Sequence, residues 1–146
     1  MDLNEAQDLA VNLMAEYPSL YWWSFGFDRA KQRCGNCNYR TRKITLSIYY
    51  VSMNTEADVR DTILHEIAHA IAGHKAGHGP EWKKVARNIG AKPQRCADAS
   101  VAMPKAPWKI VCATGHVLGF RHRRSRTTYD YACRLCMTQL RYVPNN

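Results

Sequence analysis

Apolar residues recur at helical spacing near the start of the chain. Leu3, Ala6, Leu9, Ala10, Leu13, Met14 and Tyr17 fall on one face, with Asp2 placed to cap the helix and Pro18 to stop it. The run "LYWWSFGF", 20–27, is short and aromatic and predicts a strand. Trp22 and Trp23 cannot both face inward on it, so one is expected in the core. Residues 28–43, "DRAKQRCGNCNYRTRK", predict a basic loop or loosely structured connection. "ITLSIYY" then alternates, with Ile44, Leu46, Ile48 and Tyr50 against Thr45, Ser47 and Tyr49, as in a half-buried strand. Thr55 and Asp58 form a capping-box pair ahead of an apolar helix that Gly73 ends. Pro80 opens another helix, carrying Trp82, Val85, Ala86 and Ile89 on its inner side and closed by Gly90.

Beyond residue 91 the character changes. "AKPQRCADASVAMPKAP" holds three prolines and little periodicity, which reads as a linker. The remainder has strand-like pieces, "WKIVCAT" and "TTYDYAC", between cysteines. The expected organisation is an α+β body over 1–95, a linker over 96–107 and a small β unit over 108–146.

Composition narrows the classes. An apolar fraction of 46% supports a packed core rather than disorder. No apolar run approaches the ~20 residues of a membrane span, and the acidic, amphipathic first residues do not read as a secretory signal. The expectation is an intracellular protein, cytoplasmic or nucleoid-associated, in which six cysteines point to metal ligands or free thiols. The net charge of +9 is uneven: residues 105–146 carry eight Lys/Arg and one acid, Asp130. That excess suggests a polyanionic partner, most simply nucleic acid.

The chemistry-bearing stretch is "HEIAHAIAGHKAGHGPEW", 65–82. His65 and His69 lie four apart, on one helix face, and can share a metal ion. Glu66 then sits beside the ion rather than on it. This is the H-E-x-x-H arrangement, in which zinc activates a water and the glutamate takes its proton as general base. His74 is badly placed, roughly 140° from His69 around a continued helix. His78 follows Gly73 and Gly77, and the turn before Pro80 can return it to the ion. The expected ligands are His65, His69 and His78, with water fourth and Glu81 as the alternative third ligand.

The segment "TILHEIAHAIAGHKAGHGPEWKKVARNIGAKP" resembles the core of the SprT-like metalloproteases, the family that includes the Spartan DNA–protein crosslink proteases. "FGFDRAKQRCGNCNYRTRKITLSIYYV" is similar to the segment that precedes the family's active-site helix, a strand pair with a tight basic connection. With the C-terminal cysteines, the resemblance covers roughly residues 20–143. It implies a minimal zincin-like domain, helices packed on a small antiparallel sheet, followed by a β zinc ribbon. The family's zinc histidines and catalytic glutamate fall on His65, His69, His78 and Glu66, and His78 to Trp82 is its His-Gly-x-x-Trp marker. A metzincin pattern fails at Ala72 and Lys75.

Cys133 and Cys136 form a C-x2-C knuckle, and "CATGH" adds Cys112 and His116 for a second, structural zinc, with His122 or Cys96 as alternatives to His116. Cys34 and Cys37 read as incidental thiols, a redox pair, or half of a four-thiolate site with the knuckle. Arg121, Arg123, Arg124 and Arg126, flanked by Phe120 and Tyr129, suit phosphates and unpaired bases. Together these readings predict a zinc endopeptidase acting on proteins bound or crosslinked to DNA, with DNA that is single-stranded or has single-stranded character as partner and no membrane. The alternatives are a catalytically vestigial DNA-binding module and a DNA-independent peptidase.

Overall fold

The computed structural model describes residues 1–95 and 100–146, and the chain divides into two compact units, Met1–Pro104 and Lys105–Asn146.

In the first unit, helix α1 (Leu3–Ala15) starts at a capping box. The Asp2 carboxylate accepts from the Asn4 and Glu5 N–H groups, and Glu5 accepts from the Asp2 N–H. Its buried face is Ala6, Ala10, Leu13 and Met14. Helix α3 (Glu56–Ala72) has the expected reciprocal Thr55–Asp58 cap and ends at Gly73, whose φ of 88° only glycine adopts freely. Helix α4 (Pro80–Ile89) begins on Pro80 and closes on left-handed Gly90, burying Trp82 and Ala86. No helix of the described residues is long and apolar enough to cross a membrane.

Strands β1 (Ser24–Asp28), β2 (Gly35–Asn38) and β3 (Lys43–Ser47) form a sheet in the order β1-β3-β2. The sheet is mixed, not antiparallel as expected: β1 runs parallel to β3, with Phe25 across from Ile44, while β2 is antiparallel to β3. The physical reason is the 28–43 segment. It is not a loose connection; it folds an extra strand onto the far edge of β3. That makes the β1-to-β3 path long enough for the crossover that parallel pairing requires. Asp28 anchors the path, accepting from the Ala30 N–H, the Thr45 hydroxyl and the Arg33 guanidinium at 2.9, 2.7 and 2.8 Å. Burial alone would raise the Asp28 carboxyl, but those hydrogen bonds outweigh it and hold it below its usual range.

The alternation over 44–50 also overran its strand. Extended structure stops at Ser47, whose hydroxyl caps helix α2 (Ile48–Met53) by accepting from the Tyr50 N–H. Tyr50 is buried all the same, its hydroxyl 2.8 Å from both the Asp58 carbonyl and the Thr62 hydroxyl. Trp23 packs on the core and Trp22 is exposed. Within the segment expected as a linker, Val101 and Met103 pack on this core, and the Asn54 side chain brackets the Ala102 backbone.

The second unit is an antiparallel sheet, β5-β4-β6, of β4 (Trp108–Cys112), β5 (Val117–Arg121) and β6 (Leu140–Pro144). "TTYDYAC" is not a strand. Arg126–Asp130 form a 3₁₀ turn capped by Ser125, with Thr128 hydrogen-bonded to the Tyr142 hydroxyl, and only Ala132 makes a bridge, to Gln139. The buried cluster here is Ile110, Cys112, Cys133 and Leu140. So small a core does not hold a unit of this size together unaided.

Candidate metal centre and catalytic cleft

Helix α3 presents His65 and His69 one turn apart. The chain leaves the helix at Gly73, makes a 3₁₀ turn over His74–Ala76, passes left-handed Gly77 and brings His78 back over them. The three Nε2 atoms converge: His78 lies 3.1 Å from His65 and 2.9 Å from His69. One ring nitrogen carries either one proton or one lone pair. His78 therefore cannot serve both contacts as well-formed hydrogen bonds, whereas a cation accepting all three lone pairs satisfies the set at once. Burial, then the neighbouring rings, lowers His65 to about 4, and burial and His78 lower His69 to about 4, so both imidazoles are neutral ligands at ordinary pH. Trp82, fully buried on α4, packs against all three rings with centroids 4.6 to 5.3 Å away and fixes their orientations. Glu81 is exposed on the first turn of α4, and His74 lies outside the cluster against Tyr39.

Glu66 is buried beside this cluster and does not belong to it. Burial pushes its carboxyl up to about 8, with the Arg33 guanidinium pulling it back. It shares a cleft of about 470 Å³ with the three histidines, Gly35, Cys37 and Tyr39. The close neighbour is Gly35 on edge strand β2. A Cβ at that position would sit 2.9 Å from Glu66 Oε1 and 2.9 Å from Leu46 Cδ2. Sequence reading passed over this residue; its signal was a glycine inside a strand-length segment, which marks a close backbone approach. Gly35→Ala is expected to destabilise the fold by about 1–3 kcal/mol through overpacking and to displace the carboxylate. Thermal melting with a peptide-cleavage assay checks both.

Cys34 and Cys37 lie in the same cleft, and neither joins a metal-competent cluster among the described residues. Cys37 is pushed up to about 12, by burial and then by Glu66, and is a poor thiolate. The knuckle completes its set differently. Cys112, His116, Cys133 and Cys136 place their ligand atoms within 4.8 Å of one another. Cys112 Sγ is 3.4 Å from His116 Nδ1 and 3.5 Å from Cys136 Sγ, and Cys133 Sγ is 3.7 Å from that nitrogen. His122 is outside the group, and Cys96 lies outside the described residues. The Thr114 hydroxyl, donating to Cys136 at 3.1 Å, brings that thiol down to about 7. Burial resists ionisation of Cys112, but its contacts with Thr114, Cys136 and the His116 N–H outweigh it and lower the thiol to about 5. A Met137 N–H to Cys133 carbonyl bond of 2.7 Å closes the knuckle. Cys133 goes the other way, its thiol raised first by burial, so two of the three thiols are eased toward the thiolate that binds metal.

Arg121, Arg123, Arg124 and Arg126 are exposed at the end of β5 and in the turn after it, and none makes an ion pair among the described residues. Arg124 lies over the Trp108 ring at 4.5 Å. Phe120 and Tyr129 are about half exposed beside them.

A family model described as SprT-like matches residues 9–102. The chain belongs to the SprT-like family. It is 37% identical over 89 residues to the Germ cell nuclear acidic-1 protein of Caenorhabditis elegans, an alignment covering 56% of this chain but only 17% of that protein. To Protein SprT of Pseudomonas putida (strain GB-1) it is 26% identical over 122 residues, 76% of this chain and 74% of that one. To Protein SprT of Shigella boydii it is 31% identical over 107 residues, covering 67% and 65%. The SprT-like match contains the three-histidine cluster and Glu66, and stops short of the cysteine unit. Membership suggests a peptidase.

Proposed function

We propose that this SprT-like chain is a zinc-dependent endopeptidase acting on proteins bound or crosslinked to DNA. The observation that carries the reading is the convergence of His65, His69 and His78 with Glu66 beside them in an open cleft. The donors suit zinc. Nitrogens about 2.0–2.1 Å from a tetrahedral zinc lie roughly 3.3 Å apart, and mixed sulfur–nitrogen ligands somewhat farther, close to the separations in the two clusters. Zinc on the histidines would supply Lewis acidity, polarising the scissile carbonyl and acidifying water. Glu66 takes the proton of the attacking water as the new C–O bond forms, and gives it to the amide nitrogen as the C–N bond breaks. Strand β2 is a sheet edge lining the cleft, so an extended peptide can add to it by main-chain hydrogen bonds beside Glu66. The second zinc would be structural, holding the 105–146 unit that presents Arg121, Arg123, Arg124 and Arg126 to phosphates.

The test compares cleavage of a DNA-binding protein with and without single-stranded DNA, using wild type and a variant with all four arginines changed to alanine. Wild type should be stimulated by DNA and the variant should not, while cleavage of a short free peptide stays equal. If all four arginines meet phosphates, their loss removes about 3 from the slope of log affinity against log salt. Wild-type cleavage indifferent to DNA would identify a general peptidase. DNA binding without cleavage would identify a vestigial protease centre.

A further inference from the structure

Resting on the peptidase reading, we infer that Tyr39 is the hydrogen-bond donor that stabilises the oxyanion formed when the peptide carbonyl is attacked. Side chains two apart on a strand share a face. Gly35 abuts Glu66 and Cys37 lies within its electrostatic reach, so the Gly35–Cys37 face of β2 is the one turned to helix α3, and Tyr39 follows in the turn after the strand. The direction agrees at the other end, where the Tyr39 ring meets His74, just past the end of that helix, at 5.1 Å. The phenol thus lines the same cleft as the three histidines and Glu66. Trp23 meets the ring edge-on from 6.2 Å, so it is held by aromatic contacts from two segments of the chain.

The Cys37 thiol neighbours the hydroxyl, and as a weak acceptor it gives way readily to an oxyanion. Burial first, then Cys37 and Glu66, raises the phenol well above its ordinary value, so it stays a donor at any working pH. Asn36 on this strand also borders the cleft, although strand alternation sets it on the other face from Gly35 and Cys37, and Arg33 is paired to Asp28 at 2.8 Å. A preorganised donor aimed at developing charge acts on the transition state more than on the bound substrate.

The experiment uses the zinc-loaded full chain with a fluorogenic peptide, comparing wild type, Tyr39→Phe and Tyr39→His. Tyr39→Phe should lower kcat by about 10²-fold, leave KM within about twofold, and leave zinc content and melting temperature unchanged. Tyr39→His, which restores a donor, should recover part of the rate. Binding of a phosphinic peptide, a stable tetrahedral mimic, should weaken by the same factor as kcat/KM, and this readout needs no turnover. A kcat within threefold of wild type, a change in KM alone, unaltered phosphinate affinity, or loss of zinc from Tyr39→Phe would each overturn the assignment. A wild type that cleaves nothing overturns the peptidase reading instead, and phosphinate affinity then still decides the role of Tyr39.

Discussion

Replacing Glu66 with glutamine is expected to lower kcat for peptide cleavage by about 10³-fold, within the range of a lost general base and equivalent to about 4 kcal/mol of transition-state stabilisation. The substitution keeps the side chain's shape, which matters because Gly35 leaves no slack beside the carboxylate. It removes only the ability to take a proton from water and return it to the leaving nitrogen. Glu66 lies outside the three-histidine cluster, so bound metal should be unchanged. Peptide affinity should also persist, because the cleft wall formed by β2 is untouched. Activity, metal content and melting temperature measured together separate lost chemistry from lost structure. A Glu66→Gln protein that cleaves at the wild-type rate would remove the mechanism.

The second large effect concerns the cysteine unit. Cys133 is fully buried, belongs to that unit's cluster of four buried residues and is one of the four residues that could hold a metal ion. A structural zinc of this kind supplies about 10–16 kcal/mol in small domains, far more than four buried side chains contribute. Cys133→Ser is therefore expected to unfold residues 105–146, release one zinc per chain and abolish DNA binding. Hydrolysis of a short peptide should survive, because its residues lie within Met1–Pro104. Limited proteolysis followed by mass spectrometry should show cuts confined to the second unit. Retained protection there, with full metal content, would show that the thiolates are not what holds the unit together.

How much of this was legible in the sequence depended on whether local chemistry or tertiary pairing decided each feature. Helices α1, α3 and α4 were legible because caps and apolar periodicity agreed: Asp2 with Glu5, Thr55 with Asp58, Pro80 with Gly90. The gathering of His65, His69 and His78 was legible because helix periodicity fixes two rings and Gly77 frees the turn that returns the third. Strand β2 was not, since "GNCN" has no strand propensity and exists by pairing with β3 and packing against α3. Parallel pairing of β1 and β3 followed from that hidden strand and was equally out of reach. At Ser47 the alternation continued while the backbone turned helical, because a hydroxyl able to cap outweighs a two-residue period. In the cysteine unit, β5 and β6 are five residues each and mostly not buried, so they show no clear alternation.

The most direct test of the central claim is a crystal structure of the chain grown with zinc, with anomalous differences measured across the zinc edge. A peak about 2.0–2.1 Å from each Nε2 of His65, His69 and His78, with Glu66 alongside but not bound, is the predicted result. Three separated rings with no peak between them, in a crystal whose cysteine cluster holds zinc, would contradict it.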